Sequence, residues 1–255
     1  MPQPPTRTVD RALEILLCFN QDEPELTLTQ ISERVGMHKS TVYRLLTTLE
    51  KKGFIQHEEN GTYRLGLGLV KLGALVLKSN NVHRQAISYM LRLSAEYRET
   101  VDLAILDGAE VVYLQVVESP QRVKLATAPG ERLPAFCTAT GKAFMAYLPE
   151  GQVRAILKRG MRKYTEHTIT SIPELLKELQ RTRERGFAIS EQEFEAGINA
   201  VAAPILNANE YPIAAMAIVG PAFRLPLERL MQVGKTLRET TDAIAHDIGL
   251  ALQFS

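Results

Sequence analysis

The residues best suited to chemistry lie close together near the N-terminus. Lys39, Ser40, Thr41, Tyr43 and Arg44 are near neighbours, and on a helix Ser40, Tyr43, Arg44 and Thr47 share a face, standing at i, i+3, i+4 and i+7. An arginine can bond guanine edges, hydroxyls and lysine can hold phosphates, and an aromatic ring can meet a thymine methyl or a sugar. That is the chemistry of duplex DNA recognition. The charge agrees with it. From Arg34 to Lys52 the basic residues are Arg34, Lys39, Arg44, Lys51 and Lys52, against the single acid Glu50, in a chain whose net charge is only +1. Charge placed in one segment excludes a non-specific coat for nucleic acid and favours a local contact surface.

Catalytic chemistry finds no such support. There is no G-x-S-x-G, no H-E-x-x-H and no phosphate-binding glycine loop. The histidines His38, His57, His83, His167 and His246 do not cluster, and no Cys–His spacing reads as a metal site. Glu191, Glu193 and Glu195 alternate at i, i+2 and i+4, which reads as a solvated strand edge or loop. Cys18 and Cys137 are too few for a disulfide framework, and Cys18 reads as a small buried hydrophobe. The expectation is no catalytic residue, no metal and no cofactor.

Several elements must position the basic segment. Thr8–Phe19 reads as a helix with Val9, Leu13, Leu16 and Leu17 on its apolar face. After the loop Asn20–Glu25, Thr27 and Gln30 form a capping box that opens a second helix carrying Leu28, Ile31 and Val35, which Gly36 ends. A third helix runs from about His38 to Lys51 on a stripe of Val42, Leu45, Leu46 and Leu49. Phe54–His57 and Thr62–Leu65 are short strands around an Asn-Gly turn signal. A hairpin directly after a helix-turn-helix is the wing of a winged helix, and Arg64 on its return strand can reach a phosphate. Leu67–Lys78 is apolar nearly all round and predicts a linker helix, closed by Ser79–Asn80–Asn81 and buried against a second copy of the chain.

The remainder reads as an α+β domain. A helix over Val82–Glu99 leads to strands Thr100–Leu106, Glu110–Val117 and Val123–Ala126 and the loop Thr127–Pro134. Helices Thr138–Leu148, Gln152–Arg159 and Ile172–Arg185 follow, then strands Phe187–Ser190, Ala200–Leu206 and Ile213–Val219 and a closing helix Leu227–Leu252. One antiparallel sheet, covered by helices on a single face, leaves a concavity on the other that the loop Thr127–Pro134 can close over. The division expected is residues 1–66 for the winged helix, 67–81 for the linker helix and 82–255 for the second domain. With 45% hydrophobic and 23% charged residues, no apolar run long enough to span a bilayer and no signal segment in Met1–Pro5, a cytoplasmic protein without a membrane partner is expected.

These residues resemble the IclR family of transcriptional regulators along the whole chain. The resemblance rests on T-V-D-R-A-L-E-I-L (Thr8–Leu16), V-G-M-H-K-S-T-V-Y-R-L-L-T-T-L (Val35–Leu49), F-C-T-A-T-G-K-A-F-M-A (Phe136–Ala146), R-G-F-A-I-S-E-Q-E-F-E-A-G-I-N-A-V-A-A-P-I (Arg185–Ile205) and A-I-V-G-P (Ala217–Pro221). It implies a GAF-like effector domain, a repressor or activator that binds an operator in double-stranded DNA as a dimer or dimer of dimers, and a small organic acid as effector. The DNA-binding set is then Thr27, Gln30, Lys39, Ser40, Thr41, Tyr43, Arg44 and Arg64. The effector set it implies is the Thr138–Ala139–Thr140 loop with Leu125 and Phe136, Ser190, Asn199 and Ala200, and Ala217 and Val219 of the last strand. Backbone N–H groups at the helix start after Thr138 suit a carboxylate, and Arg122, Lys124, Arg132 and Lys142 are candidate counter-charges. Alanine and valine at these positions favour a larger or aromatic acid over a very small keto acid. Cys137, beside this loop, carries the alternative of a redox or metal sensor on the same scaffold, although a packed thiol is expected.

Overall fold

The computed structural model describes residues 6–20, 22–78, 81–125 and 127–253. Outside the described residues lie the N-terminal segment Met1–Pro5, Gln21 of the first loop, Ser79 and Asn80 of the expected closure of the linker helix, and Ala126 at the end of the strand expected at Val123–Ala126. The chain divides into two compact units, Met1–Ser79 and Asn80–Ser255.

In the first unit α1 (Arg7–Leu17), β1 (Glu25–Thr27), α2 (Leu28–Val35), α3 (Lys39–Lys51), β2 (Ile55–His57), β3 (Thr62–Leu65) and α4 (Gly68–Lys78) follow in order. The capping box forms as expected, Thr27 accepting from Gln30 N and Gln30 from Thr27 N, and Gly36 ends α2 in the left-handed region at φ 62°. Ile15, Ile31, Val42, Leu46 and Leu49 form the core with Leu26, Ile55 and Tyr63. The strands form a three-stranded antiparallel sheet in the order β1-β3-β2. β1 was not expected, because three residues with the single apolar Leu26 are too few to display alternation. The apolar face expected for α1 needs correction. Ile15 is the residue it buries completely, with Ala12 and Leu16 half-buried, whereas Val9, Leu13 and Leu17 are 57%, 52% and 82% exposed. Spaced by four, those three make a second apolar stripe on the outside of the unit. Cys18 is half-buried, its thiol donating to Ile15 O at 3.0 Å.

The second unit opens with α5 (Asn81–Tyr97), so Asn81 begins a helix rather than closing one. Then come β4 (Thr100–Asp107), β5 (Glu110–Val117), β6 (Arg132–Pro134), a 3-10 turn (Ala135–Cys137), α6 (Ala139–Met145), α7 (Glu150–Leu157), α8 (Ile172–Arg185), β7 (Ala188–Glu191), β8 (Ile198–Leu206), β9 (Pro212–Pro221) and α9 (Leu227–Gln253). The six strands form one antiparallel sheet in the order β6-β5-β4-β9-β8-β7. Both of its faces are covered, where a single covered face was expected. Val101, Leu103, Val201, Met216 and Ile218 pack with α5 and α9. Ala104, Val111, Tyr113, Ala202, Ala215 and Ala217 pack with α6, α7 and α8. The cause is visible in β9, where every residue from Ala214 to Pro221 is buried instead of alternating.

Residues 123–125 are not a strand. The Val123 carbonyl accepts from Arg224 Nη2 at 2.8 Å, a side chain rather than a neighbouring strand, and the sheet edge is formed by β6 on β5 instead. α6 is shorter than expected, ending at Met145, and its first turn is held at close range. A Cβ on Gly141 would stand 2.0 Å from Ala135 O and 2.3 Å from Ala135 Cα, so only glycine lets α6 lie against the preceding turn. Gly141→Ala is expected to lower the stability of the second unit by about 1–3 kcal/mol through overpacking, read as a lower urea midpoint. An unchanged midpoint would show that this close approach does not hold α6.

Candidate functional site

The basic segment folds as the sequence requires. α3 presents Lys39, Ser40, Tyr43 and Arg44 to solvent, with Thr41 half-buried, while Val42, Leu46 and Leu49 are held in the core. Thr47 and Thr48 donate to Tyr43 O and Arg44 O at 2.9 and 3.0 Å, so these hydroxyls stay on the helix backbone. The ion pairs of this unit, among the described residues, are Arg34–Glu23 and Arg64–Glu58, and neither involves Lys39, Arg44, Lys51 or Lys52. Those four cations on and just beyond α3 therefore remain available to an anionic partner. Arg34 is held inside the unit, pairing with Glu23 and donating to Cys18 O at 3.0 Å.

The other residues expected at DNA are engaged within the unit. Thr27 and Gln30 satisfy each other in the capping box. Arg64 pairs with Glu58 across the wing and is about half exposed. A groove between α1 and α3 is lined by Thr8, Arg11, Thr41, Arg44, Leu45 and Thr48. Thr8 and Arg11 were missed because α1 reads as a core helix; their spacing of three, about one helical turn, is the only signal that they share a face.

In the second unit a cavity of about 430 Å³, open mouth included, lies between the sheet and the start of α6. It brings together seven of the residues expected to hold an effector: Thr138, Ala139, Thr140, Ser190, Ala200, Ala217 and Val219. Three others lie elsewhere. Leu125 packs against the same apolar layer without lining the cavity, and Phe136 borders a separate depression with Pro134 and Arg159. Asn199 points through the opposite face of β8, donating to Leu225 O at 2.9 Å. Strand alternation explains this, since Ile198 and Ala200 face the cavity and the residue between them cannot. The same alternation could have found Ile198. Tyr113, Leu133, Phe194 and Glu195 also line the cavity, and they come from strands and a loop whose positions only the fold supplies.

The expected counter-charges do not reach it. Lys142 is 1% exposed and donates to Glu193 and to Ile189 O, so it is a buried structural cation. Glu193, expected to be solvated, is its buried partner. The pair ties α6 to the loop after β7, and Thr165 and Thr168 hydroxyls hold the same loop by donating to Gln192 O and Glu193 O, each at 2.6 Å. Arg132 pairs at the surface with Asp107 and Glu110, and Lys124 with Glu118. Arg122 is exposed and is not a lining residue. Cys137 lines the cavity but is fully buried, and burial pushes its thiol up to about 12, with the Glu193 charge adding to the effect. A thiol so held lacks the thiolate that redox sensing needs. Among the described residues no group of His, Cys, Asp and Glu could hold a metal ion.

Deeper on the cavity side of the sheet lies Asp102, paired in register with the lining residue Ala217. It is fully buried, and burial pushes its carboxyl up to about 7, the Thr127 hydroxyl opposing this and the Glu131 charge adding to it. Burial, and then the Asp102 charge, also hold the Tyr113 phenol well above its ordinary range.

A winged helix with an unpaired basic recognition helix, in one chain with a sheet domain that encloses a cavity, is the architecture of a helix-turn-helix transcriptional regulator. The chain belongs to the IclR family. Residues 8–59 match the IclR helix-turn-helix domain and residues 74–246 the C-terminal domain of bacterial IclR transcriptional regulators. It is 36% identical over 248 residues to the HTH-type transcriptional regulator XynR of Escherichia coli K12, covering 96% of this chain and 98% of that protein. It is 31% identical over 246 residues to the transcriptional repressor AllR of Salmonella typhi, covering 96% and 90%. The crystal structure of Thermotoga maritima IclR matches with a TM-score of 0.82 and 31% identity, covering 95% of this chain and 98% of that one.

Asp102 generates a stability prediction. Its folded pKa lies above its unfolded value, so between about pH 4 and pH 7 the native state holds a proton that the unfolded chain has lost, and its contribution falls as pH rises. Asp102→Asn removes that penalty. Its stability relative to the natural chain is expected to be more favourable at pH 8 than at pH 4 by about 2–4 kcal/mol, measured by urea unfolding. Equal differences at both pH values would contradict a neutral buried carboxyl.

Proposed function

We propose that the chain is a ligand-responsive regulator that binds an operator as a dimer through α3 and the wing, with a small molecule in the second unit's cavity setting its DNA affinity. The observation that carries this reading is the exposed face of α3, where Lys39, Ser40, Tyr43 and Arg44 stand together beside a wing. Arg44 is assigned to a base edge and Lys39 to a phosphate, with Ser40, Thr41 and Tyr43 completing the contact at the start of the helix. Thr27, Gln30 and Arg64 are assigned a lesser part, because each is already engaged within the unit.

Self-association is supported by α4 and the residue before it. Leu67, Val70, Leu72 and Leu75 are 81%, 64%, 47% and 56% exposed, an apolar surface that a second copy of the same helix would cover. A two-fold dimer places two recognition helices on two half-sites. The cavity supports a small, partly apolar ligand, since Leu133, Ile198, Ala200, Ala217 and Val219 form most of one side and hydroxyls of Thr138, Thr140 and Ser190 another. An organic acid is the class proposed, with its carboxylate held by backbone N–H groups rather than by a cationic side chain, since the Thr138 and Ser190 hydroxyls already donate to Pro134 O and Cys137 O. Ligand and DNA are then coupled by the difference in ligand affinity between the DNA-competent and incompetent arrangements.

The test begins with a duplex selected by the full chain from random sequence. Arg44→Ala is expected to weaken binding to it by about 1–3 kcal/mol and to relax preference at one position of each half-site. Lys39→Ala should weaken all sequences alike and lower the salt dependence by about one phosphate contact. Unchanged affinity in Arg44→Ala would remove α3 from the base-reading role.

A further inference from the structure

At one end of the cavity the Thr140 hydroxyl is not fully satisfied by the protein, and a buried carboxyl behind it is incomplete as well. Thr140 is 2% exposed, and its Oγ1 is buried without a well-formed hydrogen bond, the Tyr113 hydroxyl being its neighbour. Tyr113 is 5% exposed and lines the same wall. Behind them Asp102 is 0% exposed, with Oδ1 accepting from the Thr127 hydroxyl at 3.3 Å and Oδ2 accepting nothing among the described residues. No cation among them offsets this carboxyl. Its titratable neighbours are Glu131 and Tyr113, while Lys142, on α6, is paired with Glu193. A buried polar atom without a partner is costly, and a ligand hydroxyl that bonds Thr140 recovers that cost on binding, while Asp102, which does not line the cavity, acts on it only through its charge.

We propose that Asp102, Tyr113 and Thr140 form a hydroxyl-reading end of the cavity, which selects an effector carrying an O–H group over the same skeleton without it. This inference rests on the reading of the cavity as the effector site and names the ligand chemistry of that site: a hydroxylated small molecule, with any carboxylate placed away from Asp102. Thr140 and Tyr113 touch the hydroxyl. Asp102 is a positioning residue that acts through the negative field it sets behind them, which draws the positive end of an O–H dipole and repels a carboxylate. The apolar wall of Ala200, Ala217 and Val219 contributes affinity without distinguishing a hydroxyl from a hydrogen.

The test uses calorimetry on the full chain with probes paired to differ by hydroxyl groups: 3-hydroxybenzoate against benzoate, lactate against propionate, and tartrate against succinate. In at least one pair the hydroxylated member is expected to bind at least about tenfold more tightly. Asp102→Asn and Tyr113→Phe should each shrink that ratio. The field needs the ionised carboxyl, and its repulsion of a carboxylate is common to both members of a pair, so the affinity ratio of hydroxylated to parent probe should rise between about pH 6 and pH 8, and Asp102→Asn should flatten the rise. Equal affinities within every binding pair, unaltered in both variants, would overturn the inference. Ala217→Leu separates this failure from failure of the cavity reading: binding that survives filling the cavity lies elsewhere and overturns that reading, whereas binding that is lost but indifferent to the hydroxyl overturns only the inference. No binding by any probe counts against both.

Discussion

A sheet buried on both faces leaves little water for polar groups trapped between its layers, and the second unit is organised by how those groups are satisfied. Lys142 and Glu193 answer each other, and in doing so fix the loop that carries Phe194 and Glu195 over the cavity. Thr138 caps α6, its side chain accepting from Gly141 N. Ser190 donates to Cys137 O at 3.3 Å and so joins β7 to the turn before α6. Thr140 Oγ1 at the cavity and Asp102 Oδ2 behind it are left incomplete, as are Glu193 Oε2 and Asn199 Oδ1 elsewhere in the unit. Incomplete groups in an otherwise closed layer are where an added molecule gains most, which is why the cavity and the unmet acceptors bear on one question.

The elements of the first unit were largely legible in the sequence because they depend on local signals. A capping box, a left-handed glycine and a helical apolar stripe fix α2 and α3 with little help from distant residues. α1 was misread for a related reason: Leu13 and Leu17 fit the helical period as well as Ile15 does, and periodicity cannot say which of two apolar stripes meets the core. In the second unit the helices and five of the six strands of the antiparallel sheet followed their patterns, but β6 and the irregular path at 123–125 depend on partners distant in sequence. The roles of Lys142 and Glu193 were illegible for the same reason. Fifty-one positions separate them, and only the crossing of α6 over β7 brings them together.

The candidate site was half legible in the same sense. Thr138–Thr140, Ser190, Ala200, Ala217 and Val219 came from a family resemblance, and the fold gathers them at one cavity. Tyr113 lies on a strand that the resemblance did not mark, and Asp102 lies behind the residues that line the cavity. An acid in the middle of an apolar strand is nevertheless a signal, since an unpaired buried carboxylate is costly and is kept only where something offsets it.

The central claim is that a molecule in the cavity and a duplex on α3 affect each other's binding. The most direct measurement is the dissociation constant of the full chain for its selected duplex, with and without a saturating probe shown by calorimetry to bind. The account predicts a change of roughly 5–150-fold, in either direction, that disappears in Ala217→Leu. A probe that occupies the cavity while the DNA dissociation constant stays the same would contradict it.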